Sequence, residues 1–329
     1  MKAILYRRYG SPDVLHCEDV EKPSPGDDEV LIRVRAAAAN PMDCHLMSGT
    51  FIMRPMTGFR RPKMTRPGVD LAGHVEAVGR NVTRFQPGEA VFGTARGAFA
   101  EYVCAHQDKV ALMPANVTFE QAASVPVAGL TALQGLRDKG LLKTGQRVLI
   151  NGAAGGVGTF AVQIAKAFGA DVTGVCSTKS VELVRSIGAD HVIDYTTDDC
   201  TRSAERYDLI FDCAGSHSLF EWRRILTRTG TIVPIGVRPG GHWIGGLPYL
   251  LKMFASSWFV RRRVTFFMAA VRTNDLMVLK ELIEAGKVTP VVDRCYPLSE
   301  AADAIRHLKE GHPRGKVVLT VKGDGPSLR

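Results

Sequence analysis

The chain has 329 residues, 45% hydrophobic and 23% charged; it is long enough for two domains with separate cores and contains no run of about 18 apolar residues to span a membrane. Its seven cysteines include no C-x-x-C pair, which argues against a disulfide framework or a cysteine-rich metal site. Together with an N-terminus lacking a signal-peptide pattern, this leads us to expect a cytoplasmic protein. The net charge of +9 comes with few aromatics and no nucleic-acid motif. No nucleic acid partner is therefore expected, and the charge fits a solvated surface plus a site for an anionic cofactor.

Residues 1–115 carry β-type signals. Val30–Val34 alternates in part and Gly73–Val78 more clearly, and Pro-Gly pairs at 25–26, 67–68 and 87–88 punctuate the region. A mostly-β, barrel-like domain is expected. From about residue 120 the period changes: helix 128–138, strand 147–151, helix 156–168, strand 171–176, helix 179–187, strands 191–194 and 208–213, helix 217–228 and strand 230–235. Strands alternating with helices imply a parallel, doubly wound sheet. The segment 240–262 is irregular and apolar; a last strand over Val264–Ala269 and a helix over 274–285 follow. The tail (strand 288–296, helix 299–309, strand 316–321) resembles the first domain in style. The expected organisation is a domain of residues 1–122 completed by 273–329, and a dinucleotide-binding domain of residues 123–272.

The most informative stretch is Arg147–Lys166, in which Val148-Leu149-Ile150 runs into a glycine-rich turn and then a helical pattern. Strand, tight turn and helix together place an anion against the orphan N–H groups and positive dipole end of a helix. The spacing is Ala153-x-Gly155-x-x-Gly158, so the first glycine of G-x-G-x-x-G is an alanine. The loop Ala154-Gly155-Gly156-Val157-Gly158 is the expected pyrophosphate cradle. Gly155 would allow close approach of the cofactor, and Gly158 close helix–strand packing. An NAD site carries an Asp or Glu at the end of the second strand for the ribose 2′-OH. Here Val172–Val175 is followed by Cys176-Ser177-Thr178-Lys179, without a carboxylate. Ser177 and Lys179, with Tyr195 at the end of the third strand pattern, suit a 2′-phosphate. NADPH is the expected cofactor.

At this point the chain resembles a known family, the medium-chain dehydrogenase/reductase superfamily in its zinc-independent quinone oxidoreductase branch. The resemblance rests on Ala39-Asn40-Pro41-Met42-Asp43, Pro67-Gly68-Val69-Asp70-Leu71-Ala72-Gly73, Gly88–Gly93, Gly97–Tyr102, Ala128-Gly129-Leu130-Thr131-Ala132, the glycine loop, and Gly315-Lys316-Val317-Val318. These segments are collinear and cover almost the whole chain. The resemblance implies an α/β protein: a GroES-like mostly-β domain, a Rossmann domain with a doubly wound parallel sheet, and an active site in the cleft between them. Zinc-dependent members use a Cys, a His–Glu pair and a later Cys as ligands. Asn40 stands at the first position, Val69 and Asp70 at the pair, and no four-cysteine cluster occurs between Phe92 and Met113. Cys44 and His45 read as a structural pair, so no metal is expected.

Without a metal electrophile, reduction of an activated acceptor is the easier chemistry. Quinones and α,β-unsaturated carbonyls spread the incoming electron density onto an oxygen that hydrogen-bond donors can stabilise. The resemblance places Asn40 where the metal ligand would stand, which makes it the expected polar group near the nicotinamide. It also implies Thr131 at the nicotinamide end, Gly236 where the cofactor passes the fifth strand, and Lys316 near the pyrophosphate. Tyr102, Tyr249 and His242 are proton-donor candidates by residue type alone, and solvent can supply the proton. Two stretches should set substrate choice: Ser48–Arg66, with Phe51, Met53, Met56, Phe59 and basic residues at 54, 60, 61, 63 and 66, and Gly240–Val260, with Trp243, Tyr249, Phe254 and Trp258. Both suit a small lipophilic substrate. The reading is an NADPH-dependent oxidoreductase of quinones or enones. The alternatives are an enoyl-thioester reductase and a non-catalytic NADPH-binding protein with peripheral membrane contact. A homodimer is expected from the resemblance, with Val264–Met268 as an apolar edge strand.

Overall fold

The computed structural model describes residues 1–49, 54–236, 263–310 and 312–321. Their contacts divide the chain into two units, Met1–Val127 with Val271–Glu281 and Val291–Arg329, and Ala128–Ala270 with Leu282–Pro290. The division falls at 127/128 rather than 122/123. Residues 282–290, expected in the first domain, go with the second. One reason is the Gln163 side chain, which donates to Thr289 O at 3.0 Å and accepts from Thr289 N–H at 2.7 Å.

In the first unit, β1 (Lys2–Leu5) and β2 (His16–Asp19) pair antiparallel, and β3 (Glu29–Ala38) is the spine of a seven-stranded sheet. One edge of β3 pairs antiparallel with β4 (Asp70–Val78). The other edge pairs with β6 (Tyr102–His106) near its start and with β15 (Lys316–Thr320) near its end. Next to β15 lies β14 (Val292–Pro297), in parallel, and beyond β4 lie β5 (Ala90–Thr94) and β7 (Val110–Leu112). Ile32, Leu71, Phe99 and Val317 meet in the core, so the C-terminal strand is buried among N-terminal ones. β14 starts at Val292, not at 288, after Pro290, which has no N–H to offer a ladder. Helix α1 (Pro41–Ser48) follows β3 directly. Pro41 is pre-set for a first helical position, and Gly49, at φ +63°, ends the helix.

In the second unit, β8 (Arg147–Asn151), β9 (Asp171–Cys176), β10 (His191–Asp194), β11 (Tyr207–Asp212), β12 (Leu226–Pro234) and β13 (Arg263–Val264) form a parallel sheet in the order β10-β9-β8-β11-β12-β13. This is the doubly wound order, whose reversal lies between β8 and β11. Val148, Leu149 and Ile150 are all completely buried, as a strand covered on both faces requires. Helix α5 (Gly156–Ala167) packs against this sheet through Phe160, Val162 and Ile164.

The sequence expectations differ from the structure at three elements here. The helix expected over 128–138 starts at Pro126, runs to Gln134, and continues as a π-helical turn over Gly135–Lys139. The helix expected over 217–228 is Leu219–Ile225 (α7), because the chain already pairs as β12 from Leu226, with a register irregularity opposite Tyr207–Leu209. The last strand, expected over 264–269, is two residues long; only Thr265 N–H continues the ladder, to Ile232 O at 3.0 Å. Phe51, Met53 and the whole of Gly240–Val260 lie outside the described residues.

Candidate active site

The glycine loop joins β8 to α5. Gly152 takes φ +81°, and Gly155 N–H donates to Gly152 O at 3.1 Å, which tightens the turn. A Cβ on Gly158 would stand 2.1 Å from Gly152 O, so this position lets the helix close onto the loop. A Cβ on Gly155 would meet only Gly152 O at 3.4 Å, which leaves the mouth of the turn open. Ala154, Gly155, Gly156 and Val157 are partly exposed and Gly158 is buried. The first-turn amides of α5 have no acceptor within the helix, so the loop has the donors that an anion needs.

Behind the loop, Asp212 at the end of β11 is completely buried. Its Oδ1 accepts from Asn151 Nδ2 at 2.8 Å, Gly215 N–H at 2.8 Å and Ala214 N–H at 3.2 Å, and its Oδ2 from Trp222 Nε1 at 3.0 Å. Asn151 also donates to Ser216 Oγ at 3.0 Å. Burial raises the Asp212 carboxyl and these donors oppose the rise. The network holds the 213–216 turn beside the glycine loop. Neither Asn151 nor Asp212 was singled out in the sequence. The available signal was a polar residue closing each apolar strand run, RVLIN and YDLIFD. Gly236, expected beside the cofactor, is crowded by protein: its N–H donates to Asp212 O at 2.9 Å, and a Cβ there would stand 2.1 Å from Cys213 O. Thr131 lies on the Pro126–Gln134 helix and is partly exposed.

Ser177 follows β9 and starts a short 3-10 turn, Thr178–Ser180, that presents Lys179 to solvent. Tyr195 follows the adjacent β10 and is 57% exposed, with its N–H on Cys176 O at 3.0 Å. The structure thus brings Ser177, Lys179 and Tyr195 to the ends of neighbouring strands. It adds a residue that sequence reasoning missed. The carboxylate absent from β9 has a counterpart in Asp194 at the end of β10. Its Oδ1 accepts from the Thr196 N–H at 2.9 Å and hydroxyl at 2.7 Å. Hydrogen bonds from Thr178 and Thr196 hold its carboxyl below the usual range. Asp194 therefore ties the 177–179 turn to β10.

In the first unit, Asn40, Asp70 and Lys316 form a buried polar cluster. Lys316 Nζ donates to Asn40 Oδ1 at 2.7 Å and Asp70 Oδ2 at 3.3 Å, and Asn40 Nδ2 donates to Asp70 Oδ2 at 3.0 Å. Asp70 Oδ1 accepts from Val127 N–H at 3.0 Å. Burial lifts the Asp70 carboxyl, and the Lys316 ammonium is the main influence that pulls it back. Two expected site residues are engaged within the protein here. Lys316, expected at the pyrophosphate, is 4% exposed and committed to Asn40 and Asp70, because a carboxylate buried on β4 needs a cation. Asn40, expected near the nicotinamide, has both ends of its amide bonded within the protein. Beside the cluster, Asp43 in the first turn of α1 accepts from Asn40 N–H at 2.8 Å and Gly68 N–H at 3.2 Å. Burial pushes its carboxyl up to about 6. Of the other candidates, Tyr102 lies under Lys22 Nζ at 4.0 Å, and Arg54 packs over Tyr9 and donates to Gly49 O, which removes it from the exposed basic cluster. Tyr249 and His242 lie outside the described residues.

Residues 26–115 match the alcohol dehydrogenase GroES-like domain family, and residues 187–319 match the family described as zinc-binding dehydrogenase. The chain is 32% identical to a chloroplast envelope quinone oxidoreductase homolog of Arabidopsis thaliana, over 97% of this chain and 98% of that protein. It is 34% identical to the chloroplastic NADPH-dependent alkenal/one oxidoreductase of the same plant, over 97% of this chain and 79% of that one. Among solved structures, the Escherichia coli quinone oxidoreductase complexed with NADPH superposes with a TM-score of 0.82 at 26% identity, covering 97% of this chain and all of that one. These matches run through both units and agree with the collinear motifs, so the chain is an oxidoreductase belonging to the quinone oxidoreductase branch of the medium-chain dehydrogenase/reductase superfamily.

Proposed function

We propose that this oxidoreductase uses NADPH to reduce quinones or α,β-unsaturated carbonyls and needs no catalytic zinc. The observation that carries the cofactor choice is the set Ser177, Lys179 and Tyr195 at the ends of β9 and β10, with no carboxylate at the end of β9 and with Asp194, at the end of β10, turned onto Thr178 and Thr196. The relatives named for NADPH and for quinone or alkenal/one substrates support the same reading.

The residues fit the cofactor. The α5 amides and the loop 154–158 would hold the pyrophosphate, Ser177, Lys179 and Tyr195 the 2′-phosphate, and Thr131 the nicotinamide end. When bound, NADPH supplies the hydride. Asp212 and Asn151 keep the loops that receive it in one conformation, and Asp194 fixes the turn bearing Ser177 and Lys179.

The first unit's cluster does not fit catalytic zinc. Asn40 offers an amide where a thiolate would be required, Val69 offers no donor, and the Asp70 carboxylate is already paired with an ammonium that would repel a second cation. Asn40 and Lys316 act as positioning residues, fixing Asp70 and the start of α1. The proton on the acceptor oxygen comes from solvent. NADPH oxidation by chelator-treated protein, followed against panels of quinones, alkenones and acyl-thioesters, tests the reading. Turnover with quinones or alkenones is the expected result. Turnover confined to acyl-thioesters, or regained only with zinc, would overturn it.

A further inference from the structure

Outside the cofactor loops, the second unit gathers a group with different chemistry. Cys200 opens a 3-10 turn (Cys200–Arg202) after β10, and His217 precedes α7. Cys200 Sγ and His217 Nε2 stand 3.8 Å apart, and with an Asp199 carboxylate oxygen they lie within 4.8 Å of one another. Among the described residues this is the one trio of His, Cys, Asp or Glu side chains found to converge so closely. We propose that Asp199, Cys200 and His217 bind one divalent transition-metal ion of the zinc class.

Three observations carry this. The first is spacing: bonds of about 2.3 Å to sulfur and 2.0–2.1 Å to nitrogen at a tetrahedral angle put the two ligand atoms about 3.6 Å apart. Shifts of a few tenths of an ångström at Cys200 and His217, and of up to about 1.4 Å at Asp199, would therefore close the site around an ion. The second is orientation by outer partners. Asp199 Oδ1 accepts from the Thr201 N–H at 2.9 Å and hydroxyl at 2.7 Å, and the His217 ring packs edge-on against Trp222 with centroids 4.7 Å apart. Ligating carboxylates are commonly held by hydrogen bonds of the kind Thr201 gives Asp199. The third is access and charge. The trio borders an open pocket of about 330 Å³, shared with Tyr195, Thr197 and Asp198, which leaves room for a fourth, water ligand. Burial first, and the Asp199, Asp212 and Glu221 carboxylates after it, raise the Cys200 thiol, so an incoming cation meets negative charge and must displace the thiol proton. Arg202, at 3.2 Å from Asp199 Oδ2, opposes it, but its side chain is 80% exposed and can turn into water.

Binding would form metal–sulfur, metal–nitrogen and metal–oxygen bonds, with the Cys200 thiol proton passing to solvent; no electron moves. The site uses none of the residues at the superfamily's catalytic zinc positions. Its pocket shares Tyr195 with the proposed 2′-phosphate site, but none of the three ligands belongs to that site, and its test needs no turnover. The full-length chain, stripped with a chelator and titrated with cobalt(II) chloride under reducing conditions, should develop a thiolate-to-cobalt absorption band that saturates at one equivalent and is abolished by zinc chloride. Cys200→Ser should remove the band, with Cys200→Ala serving if the serine variant does not fold, and His217→Asn should weaken binding at least about tenfold. Absence of the band, or a band of undiminished strength in the folded Cys200 variants, which would place the metal on other thiols, would overturn the proposal.

Discussion

Removing the Lys316 ammonium leaves the Asp70 carboxylate buried without its ion-pair partner. Breaking such a pair from one side destabilises by about 3–5 kcal/mol, whereas replacing both members is close to neutral. Lys316→Ala should therefore lower the urea unfolding free energy by about that amount, and Lys316→Met with Asp70→Asn should recover most of it; a single variant within about 1 kcal/mol of the native chain would contradict the pairing. Asp43 gives a pH signature of the opposite kind. Its carboxyl rises from 3.8 to about 6 on folding, chiefly through burial. Between those values the folded chain holds a proton that the unfolded chain has released, so this group's contribution to stability falls as pH rises from about 4 to 6. The difference across the window is about 3 kcal/mol. Denaturation at pH 4 and pH 7 should show this change in the native chain and not in Asp43→Asn; parallel profiles would refute it.

The glycine loop is the element where one atom decides most. An alanine at 158 would put its Cβ 2.1 Å from Gly152 O, so loop and helix would have to separate. Gly158→Ala should lower the melting temperature and weaken NADPH binding by at least about tenfold, or 1.4 kcal/mol, by fluorescence titration. Unchanged binding would mean that the loop is not the cradle. This element was legible in the sequence because strand, turn and helix each leave a local signal: β8, β9 and β10 begin and end where the pattern placed them. The misjudged elements are those set by partners distant in sequence. β12 begins early because Leu226 finds Tyr207 across the sheet, and 282–290 go with the second unit, where Gln163 clamps Thr289. The same holds at the site. Ser177, Lys179 and Tyr195 could be read from strand ends, but nothing local showed that Lys316 lies 276 positions away from its hydrogen-bond partner Asn40. The carboxylates of Asp194 and Asp212 were likewise visible in sequence, but beside their local donors each takes others from separate elements, Thr178 for Asp194 and Asn151 and Trp222 for Asp212.

For the whole molecule, the described part of the edge beyond β12 bears on assembly. Only two residues pair there as a strand, and Phe266 and Met268 just after them are 36% and 84% exposed. We propose that this apolar stretch is covered in a homodimer. Sedimentation velocity should give a dimer for the native chain and a shift toward monomer for Phe266→Lys with Met268→Lys; a monomeric native chain would refute it. The proposed reaction is hydride delivery from NADPH to an activated carbon without a metal. It is tested by mass-spectrometric detection of deuterium carried to an alkenone from NADPH deuterated at both hydrogens of the nicotinamide C4, with chelator-treated protein and no added metal. Deuterium at the β-carbon, at a rate that zinc does not increase, is the result expected here; unlabelled product, or labelling that appears only after zinc is restored, would contradict it.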